Sequence, residues 1–230
     1  MIISTDHKIA YLSNSKCAST TIRKHFLQVQ NEELVKEVQS YALNNPHMPY
    51  HKISNYLLEQ HDIDISNFFL FSTIRNPWER IVSLYNYCKP DKNGVPFWSA
   101  KFGVPREEGT SCTFEEFIFS NLNTNYNKTA GSFRHACKNV QDMFGDNYEK
   151  FKLYKCEELD INKIMDDMGN PEVESKVGRK TLEIVDSNDW TLTKEKRDSE
   201  ENYREYYNDE LRNIIANHYE LDIQIGAYEF

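Results

Sequence analysis

Two apolar runs in this chain end in the same way, and that repetition constrains the fold more than any other feature. Ile9-Ala10-Tyr11-Leu12 leads into Ser13-Asn14-Ser15-Lys16-Cys17-Ala18-Ser19-Thr20-Thr21-Ile22-Arg23. Phe68-Phe69-Leu70-Phe71-Ser72-Thr73-Ile74 leads into Arg75-Asn76-Pro77-Trp78-Glu79-Arg80-Ile81-Val82-Ser83. Each apolar run has the form of a buried strand, and each polar run has small or hydroxyl residues and a cation where a helix should begin. Ser19 or Thr20 is the expected cap of a first helix whose Ile22, Phe26 and Val29 repeat at helical spacing. In the second segment Asn76 reads as N-cap, Pro77 as the first helical residue and Glu79 as the third, with Ile81, Leu84, Tyr85 and Cys88 on the apolar stripe. A helix start offers unpaired N–H groups and about half a positive charge, so two such junctions can hold two phosphates of one ligand.

Two strand-helix units joined by a mostly helical crossover predict a parallel α/β sheet, with the ligand at the C-terminal ends of its strands. Phe151-Lys152-Leu153-Tyr154 is a third strand candidate, followed by a short helix from Asp160 that stops at Gly169. Leu211, Ile214, Ile215, His218 and Tyr219 mark an amphipathic helix near the C-terminus. Residues Pro90 to Thr113 and Asn170 to Glu200 are polar, lack sustained periodicity and read as insertions or lids. The expectation is one domain over residues 1–230, since 39% hydrophobic content in 230 residues supports a sizeable core.

The formal charge of −9 argues against a general grip on nucleic acid or an anionic membrane, because both need broad basic surface. Any anion must be caught locally. The five cysteines, Cys17, Cys88, Cys112, Cys137 and Cys156, are scattered without CxxC pairing, which suits reduced thiols in a cytoplasm and not a disulfide framework or a zinc site. Met1 to Asp6 have no leader-like pattern, and no window reaches the roughly 18 apolar residues of a membrane span. A soluble, cytoplasmic chain is expected.

Lys16 to Thr21 is not a Walker loop, since it has no glycine and its lysine comes early. Ala18, Ser19 and Thr20 are nevertheless small enough for close approach to an anion, and Lys16 supplies a point charge. A plain capped helix start is the bland alternative. Arg75 stands just before the second helix and Ser83 two turns inside it, nearly in line with Asn76. Both can face one phosphate beside the helix's first turns; the alternative pairs Arg75 with a surface carboxylate and turns Ser83 to solvent.

Lys16-Cys17-Ala18-Ser19-Thr20-Thr21 resembles the 5′-phosphosulfate loop of sulfotransferases that use 3′-phosphoadenosine 5′-phosphosulfate (PAPS), and Arg75 to Ser83 resembles their 3′-phosphate motif. The C-terminal run Asn202-Tyr203-Arg204-Glu205-Tyr206-Tyr207-Asn208-Asp209-Glu210, with Asp222-Ile223 and Gly226-Ala227-Tyr228-Glu229-Phe230, is similar to the ending of the carbohydrate branch. That branch includes the chondroitin and heparan enzymes and small soluble bacterial relatives. The resemblance implies an α/β fold with a P-loop-like parallel sheet flanked by helices. It implies that Lys16, Cys17, Ala18, Ser19, Thr20 and Thr21 hold the 5′ end of PAPS, that Arg75 and Ser83 hold its 3′-phosphate, and that no metal is needed.

Departures from the family pattern lie at Cys17, at Ala227, where Phe or Gly is usual, and in Leu192 to Ser199. There Arg197 or Lys194 is the candidate for an extra phosphate contact. Family members carry a histidine before a helix upstream of the second motif, which points to His51 as general base with His47 as understudy. His218 reads as a satisfied core residue that Asp222 supports. The expected acceptor is a carbohydrate hydroxyl, and Phe97, Trp98 and Phe102 are candidates for stacking on sugar faces. The rivals are an atypical kinase-like phosphotransferase and a non-catalytic glycan-binding module.

Overall fold

The computed structural model describes residues 1–42, 47–88, 113–122, 136–178 and 202–230. In chain order the first half comprises β1 Ile2–Ser4, β2 Ile9–Tyr11, α1 Ser19–Phe26, α2 Glu32–Tyr41, α3 Tyr50–His61, β3 Phe69–Ile74 and α4 Pro77–Cys88. The second comprises α5 Phe114–Leu122, α6 Val140–Phe144, β4 Lys152–Lys155, α7 Ile161–Met168, α8 Pro171–Val177, α9 Asp209–His218 and α10 Glu220–Gly226. They group into two compact units, residues 1–75 with 138–191 and residues 76–137 with 192–230.

The first unit holds a four-stranded sheet in the order β1-β2-β3-β4. β2 pairs in parallel with β3, Tyr11 opposite Phe71, and β3 pairs in parallel with β4, Thr73 opposite Tyr154. This is the expected α/β class, and the three foreseen strands are present within a residue or two. β1 was not foreseen. It is a three-residue edge strand antiparallel to β2, too short for periodicity to show.

Phe71 is the hub of this core. Its ring centroid lies 5.1 Å from that of Tyr11, 5.5 Å from Phe26 on α1 and 6.3 Å from Tyr154 on β4. One aromatic side chain therefore ties both neighbouring strands and the first helix together, in the tilted and edge-on geometries that aromatic rings prefer. α7 keeps the expected limits: Asp160 caps it by accepting from the Asn162 N–H at 2.8 Å, and Gly169 ends it in the left-handed conformation. Within the stretch from Asn170 read as an insertion or lid, residues 171–177 form a helix that periodicity did not show. Asn170 accepts from the N–H groups of Glu172 and Val173, Pro171 opens the turn, and α8 forms with Val173 and Val177 buried.

The second unit is helical. Trp78, Ile81 and Leu84 of α4, Phe117 and Ile118 of α5, and Leu211 and Ile215 of α9 form its core. Asn76 caps α4 as foreseen, its Oδ1 accepting from the N–H groups of Trp78 and Glu79 at 3.1 and 3.3 Å. Arg80 is buried inside this unit, donating to the Ala136 carbonyl at 3.1 Å, with its Nη1 3.8 Å from Oδ1 of buried Asp222. Its guanidinium lies 5.3 Å from the Tyr219 ring centroid. Asp222 thus faces Arg80. His218 is a satisfied residue, as expected: its Nε2 donates to the Cys137 carbonyl at 3.1 Å, which also accepts from the Tyr219 hydroxyl at 2.6 Å. Ala227 ends α10 at φ 48°, a left-handed conformation that glycine takes without strain, which explains a glycine preference at that place. No helix among the described residues is long and apolar enough to cross a membrane.

A buried charge that loses its partner keeps its desolvation cost. Asp222→Ala should therefore destabilise the chain by about 3–5 kcal/mol, and Asp222→Ala with Arg80→Met by clearly less. Urea unfolding of both variants measures this, and equal losses would show that the pair is not coupled.

Candidate anion-binding site

The site is built in the first unit, where the chain leaves β2. Pairing with β3 continues one residue past the strand, the Leu12 N–H donating to the Phe71 carbonyl at 3.2 Å. The Ser72 hydroxyl then donates to the Leu12 carbonyl at 2.6 Å. The Thr73 hydroxyl donates to the Cys17 carbonyl. Thr73 has one hydroxyl proton and spends it there, so in its 3.0 Å contact with Tyr11 the phenol is the donor. Burial pushes the Tyr11 phenol well above its ordinary range, which keeps that donor protonated.

Between those anchors the loop turns sharply. Lys16 and Ala18 take φ values of 58° and 55°, left-handed backbone at two non-glycine residues. Each costs roughly 1–2 kcal/mol, and alternation of this kind curls successive N–H groups toward one concave face. Ala18 itself precedes α1, and the Ile22 N–H donates to its carbonyl at 3.1 Å. The expected cap at Ser19 or Thr20 is therefore corrected. Both belong to the first helical turn, no side chain caps α1, and Val29 lies beyond it in a separate 3-10 turn. Ile22 and Phe26 are buried as foreseen. Lys16, Ala18, Ser19 and Thr21 are half-buried, Thr20 is exposed, and Cys17 is buried with its thiol donating to the Ser15 carbonyl at 3.3 Å.

Arg75 follows the last residue of β3, on the strand that carries Ser72 and Thr73, so it shares a sheet edge with the Lys16 loop. Cys156 follows β4. The Cys17 thiol and burial push the Cys156 thiol well above its usual range, while the Arg75 guanidinium pulls the other way.

The two histidines before and on α3 differ in environment. Nδ1 of His47 is 2.9 Å from the Ser13 carbonyl, and the His47 carbonyl accepts from the Lys138 ammonium at 3.0 Å. A carbonyl only accepts, so Nδ1 carries the hydrogen and, in the neutral ring, Nε2 is the basic nitrogen. His51 is exposed on the first turn of α3. Lys138 is held below its ordinary pKa by burial.

Lys16 to Thr21 and Arg75 are thus gathered at one edge of one sheet. Ser83 lies on α4 in the other unit and is buried, 2% exposed, which overturns the solvent-facing alternative. Arg197, Lys194, Phe97, Trp98 and Phe102 fall outside the described residues. Sequence reasoning missed Ser72 and Thr73. A signal for both was present, since adjacent hydroxyls in an otherwise apolar buried strand require partners.

A family model described as "Sulfotransferase family" matches residues 1–229. No curated protein and no solved structure matches the chain.

Thr73→Val removes one hydroxyl and strips partners from two buried groups, the Tyr11 phenol and the Cys17 carbonyl. It should cost about 1–3 kcal/mol in urea unfolding. An unchanged midpoint would mean that the strand does not hold the loop through this hydroxyl.

Proposed function

The chain belongs to the sulfotransferase family, and on that premise we propose that it moves a sulfuryl group from PAPS to a hydroxyl of a carbohydrate acceptor. The observation that carries this reading is the adjacency of the Lys16 loop and Arg75 at the ends of two parallel-paired strands, joined by the Thr73 hydroxyl. A donor with phosphate at both ends of one adenosine needs two cationic grips side by side, and the same edge of one sheet supplies them.

In this reading the N–H groups from Ala18 to Thr21, at the start of α1, take the 5′ end. Lys16 neutralises the charge that builds on the departing phosphate as its bond to sulfur breaks. Arg75 takes the 3′-phosphate by charge-assisted hydrogen bonds. Cys17 contributes backbone, because its thiol is turned inward to the Ser15 carbonyl. Ser83 and Arg197 enter through the resemblance alone. Transfer of the sulfuryl unit to the acceptor oxygen releases a proton, and His51 accepts it. The carbohydrate acceptor likewise rests on the resemblance of the C-terminal run, and a reducing, cytoplasmic compartment is in keeping with thiols at Cys17, Cys137 and Cys156.

One observation favours a second assignment of the base. His47 has its tautomer set by the Ser13 carbonyl, at the root of the same loop. Paired replacements separate the two. If His51 is the base, His51→Ala lowers kcat by roughly 10²- to 10⁴-fold with nucleotide affinity retained. His47→Ala then lowers kcat less and weakens nucleotide binding, because it loosens the loop. The opposite pattern transfers the role to His47.

Arg75→Ala should weaken binding of the desulfated nucleotide by about 1.5–3 kcal/mol in calorimetry. Unaltered affinity would remove Arg75 from the clamp. Radiolabelled sulfate transfer from PAPS across an acceptor panel tests the whole reading, and a thermal-shift preference for ATP with magnesium over the desulfated nucleotide would replace it with phosphoryl transfer.

A further inference from the structure

Residues 47–49 lead into α3 and belong to no helix or strand. α3 starts after Pro49, which has no N–H to give and whose side chain caps nothing. Ahead of it, His47 is fixed at two points. Its Nδ1 hydrogen goes to the Ser13 carbonyl at 2.9 Å, and its own carbonyl accepts from the Lys138 ammonium at 3.0 Å. Lys138 is 91 residues away in the chain but in the same compact unit.

The ammonium is on a firm mount. Lys138 immediately precedes α6, where the Asp142 N–H donates to Asn139 Oδ1 at 2.7 Å and the Asn139 N–H to Asp142 Oδ2 at 3.3 Å, a reciprocal cap. Phe144 of α6 packs on Phe151 with ring centroids 4.3 Å apart, and Phe151 meets Tyr50 of α3 edge-on at 5.3 Å. Lys138 is half-buried, and an ammonium withdrawn from water holds its acceptor more firmly than one in solvent. At the far end of the chain of bonds, Ser13 is buried and follows Leu12, whose carbonyl the Ser72 hydroxyl holds.

We propose that Lys138 is a positioning residue for the transfer reaction: by fixing the His47 backbone it sets the His47 ring on Ser13 and locks the histidine segment to the root of the anion loop. The proton-accepting side and the phosphate-holding side of the site then keep one separation, which group transfer requires to within about 1 Å. Lys138 touches neither donor nor acceptor; it acts through His47. The effect on nucleotide binding rests on the donor proposed above, and the tautomer of His47 does not.

The test uses the full chain with isotope-labelled histidine, the His47 signals being identified by their loss in His47→Ala. At a pH where His47 is neutral, its nitrogen chemical shifts should report the hydrogen on Nδ1. Lys138→Met removes the ammonium and keeps the bulk of the side chain. The His47 shifts should then move to those of a ring that exchanges tautomers, and affinity for the desulfated nucleotide should fall roughly three- to tenfold. In a His47→Ala background the same change should cost less than about twofold, because the route to the loop is already cut. A wild-type ring with its hydrogen on Nε2, or a ring that keeps Nδ1–H in Lys138→Met, overturns the proposal. So does undiminished affinity in Lys138→Met, or an equal loss in both backgrounds. Should Lys138→Met fail to fold, Lys138→Gln, which is shorter and uncharged, takes the same readouts with the same expected directions. If the wild-type chain does not bind the nucleotide, the proposed donor fails, and the histidine shifts alone decide whether Lys138 sets the ring.

Discussion

Parallel pairing of β2 with β3 is the constraint on which the rest depends. Tyr11 opposite Phe71 sets the register, and from that register β3 runs on to Ile74 beside the loop that follows β2. The loop after one and the arginine after the other then share an edge. A two-residue slip in pairing would move Arg75 by about 6.6 Å along the strand, at 3.3 Å per residue, and undo the match. Phe71 guards against it, because its ring contacts Tyr11, Phe26 and Tyr154 at once. The hydrophobic core of the first unit and the chemistry of its edge are thus one arrangement seen from two sides.

The loop shows how backbone strain is held in place. Left-handed conformations at Lys16 and Ala18 together cost roughly 2–4 kcal/mol. Bonds from Ser72 to Leu12, from Thr73 to Cys17 and from His47 to Ser13 contribute about 1 kcal/mol each, and leaving any of those buried carbonyls unmet would cost more. The two sums are of similar size, so the loop is held in shape by side chains from a strand and from the approach to α3. A glycine-rich phosphate loop avoids that strain at the outset. This chain instead keeps side chains in the turn, among them the lysine on which the proposed function draws.

Sulfotransferase membership rests on a match along nearly the whole length, residues 1–229, and the second unit is part of it. The arginine of the Asn76-Pro77-Trp78-Glu79-Arg80 motif looks on paper like another cation for a phosphate. Its side chain is 1% exposed and committed to Ala136, Asp222 and Tyr219. Charge alone does not make a ligand contact. Asp222, in the C-terminal run that resembles the family's ending, and Tyr219 ahead of it both lie against Arg80, and a packed core is sufficient reason for their presence.

Much of the fold was legible because its signals are local. The α4 cap at Asn76, the α7 limits at Asp160 and Gly169 and the apolar strand runs each depend on residues within a turn or two of one another, so periodicity and capping chemistry expose them. The family motifs, and the gathering of Lys16 and Arg75 at strand ends, follow from the same short-range pattern combined with the rule for parallel sheets. What the linear order left open was every choice made by contact across long separations. Ala18 in place of Ser19 as the turn into α1, the hydroxyl of Thr73 on a carbonyl 56 residues away, His47 on the loop root and the approach of Arg80 to Asp222 were decided in three dimensions. Burial is the reason: only packing determines which polar groups lose water, and those groups then take the partner that the fold has brought near.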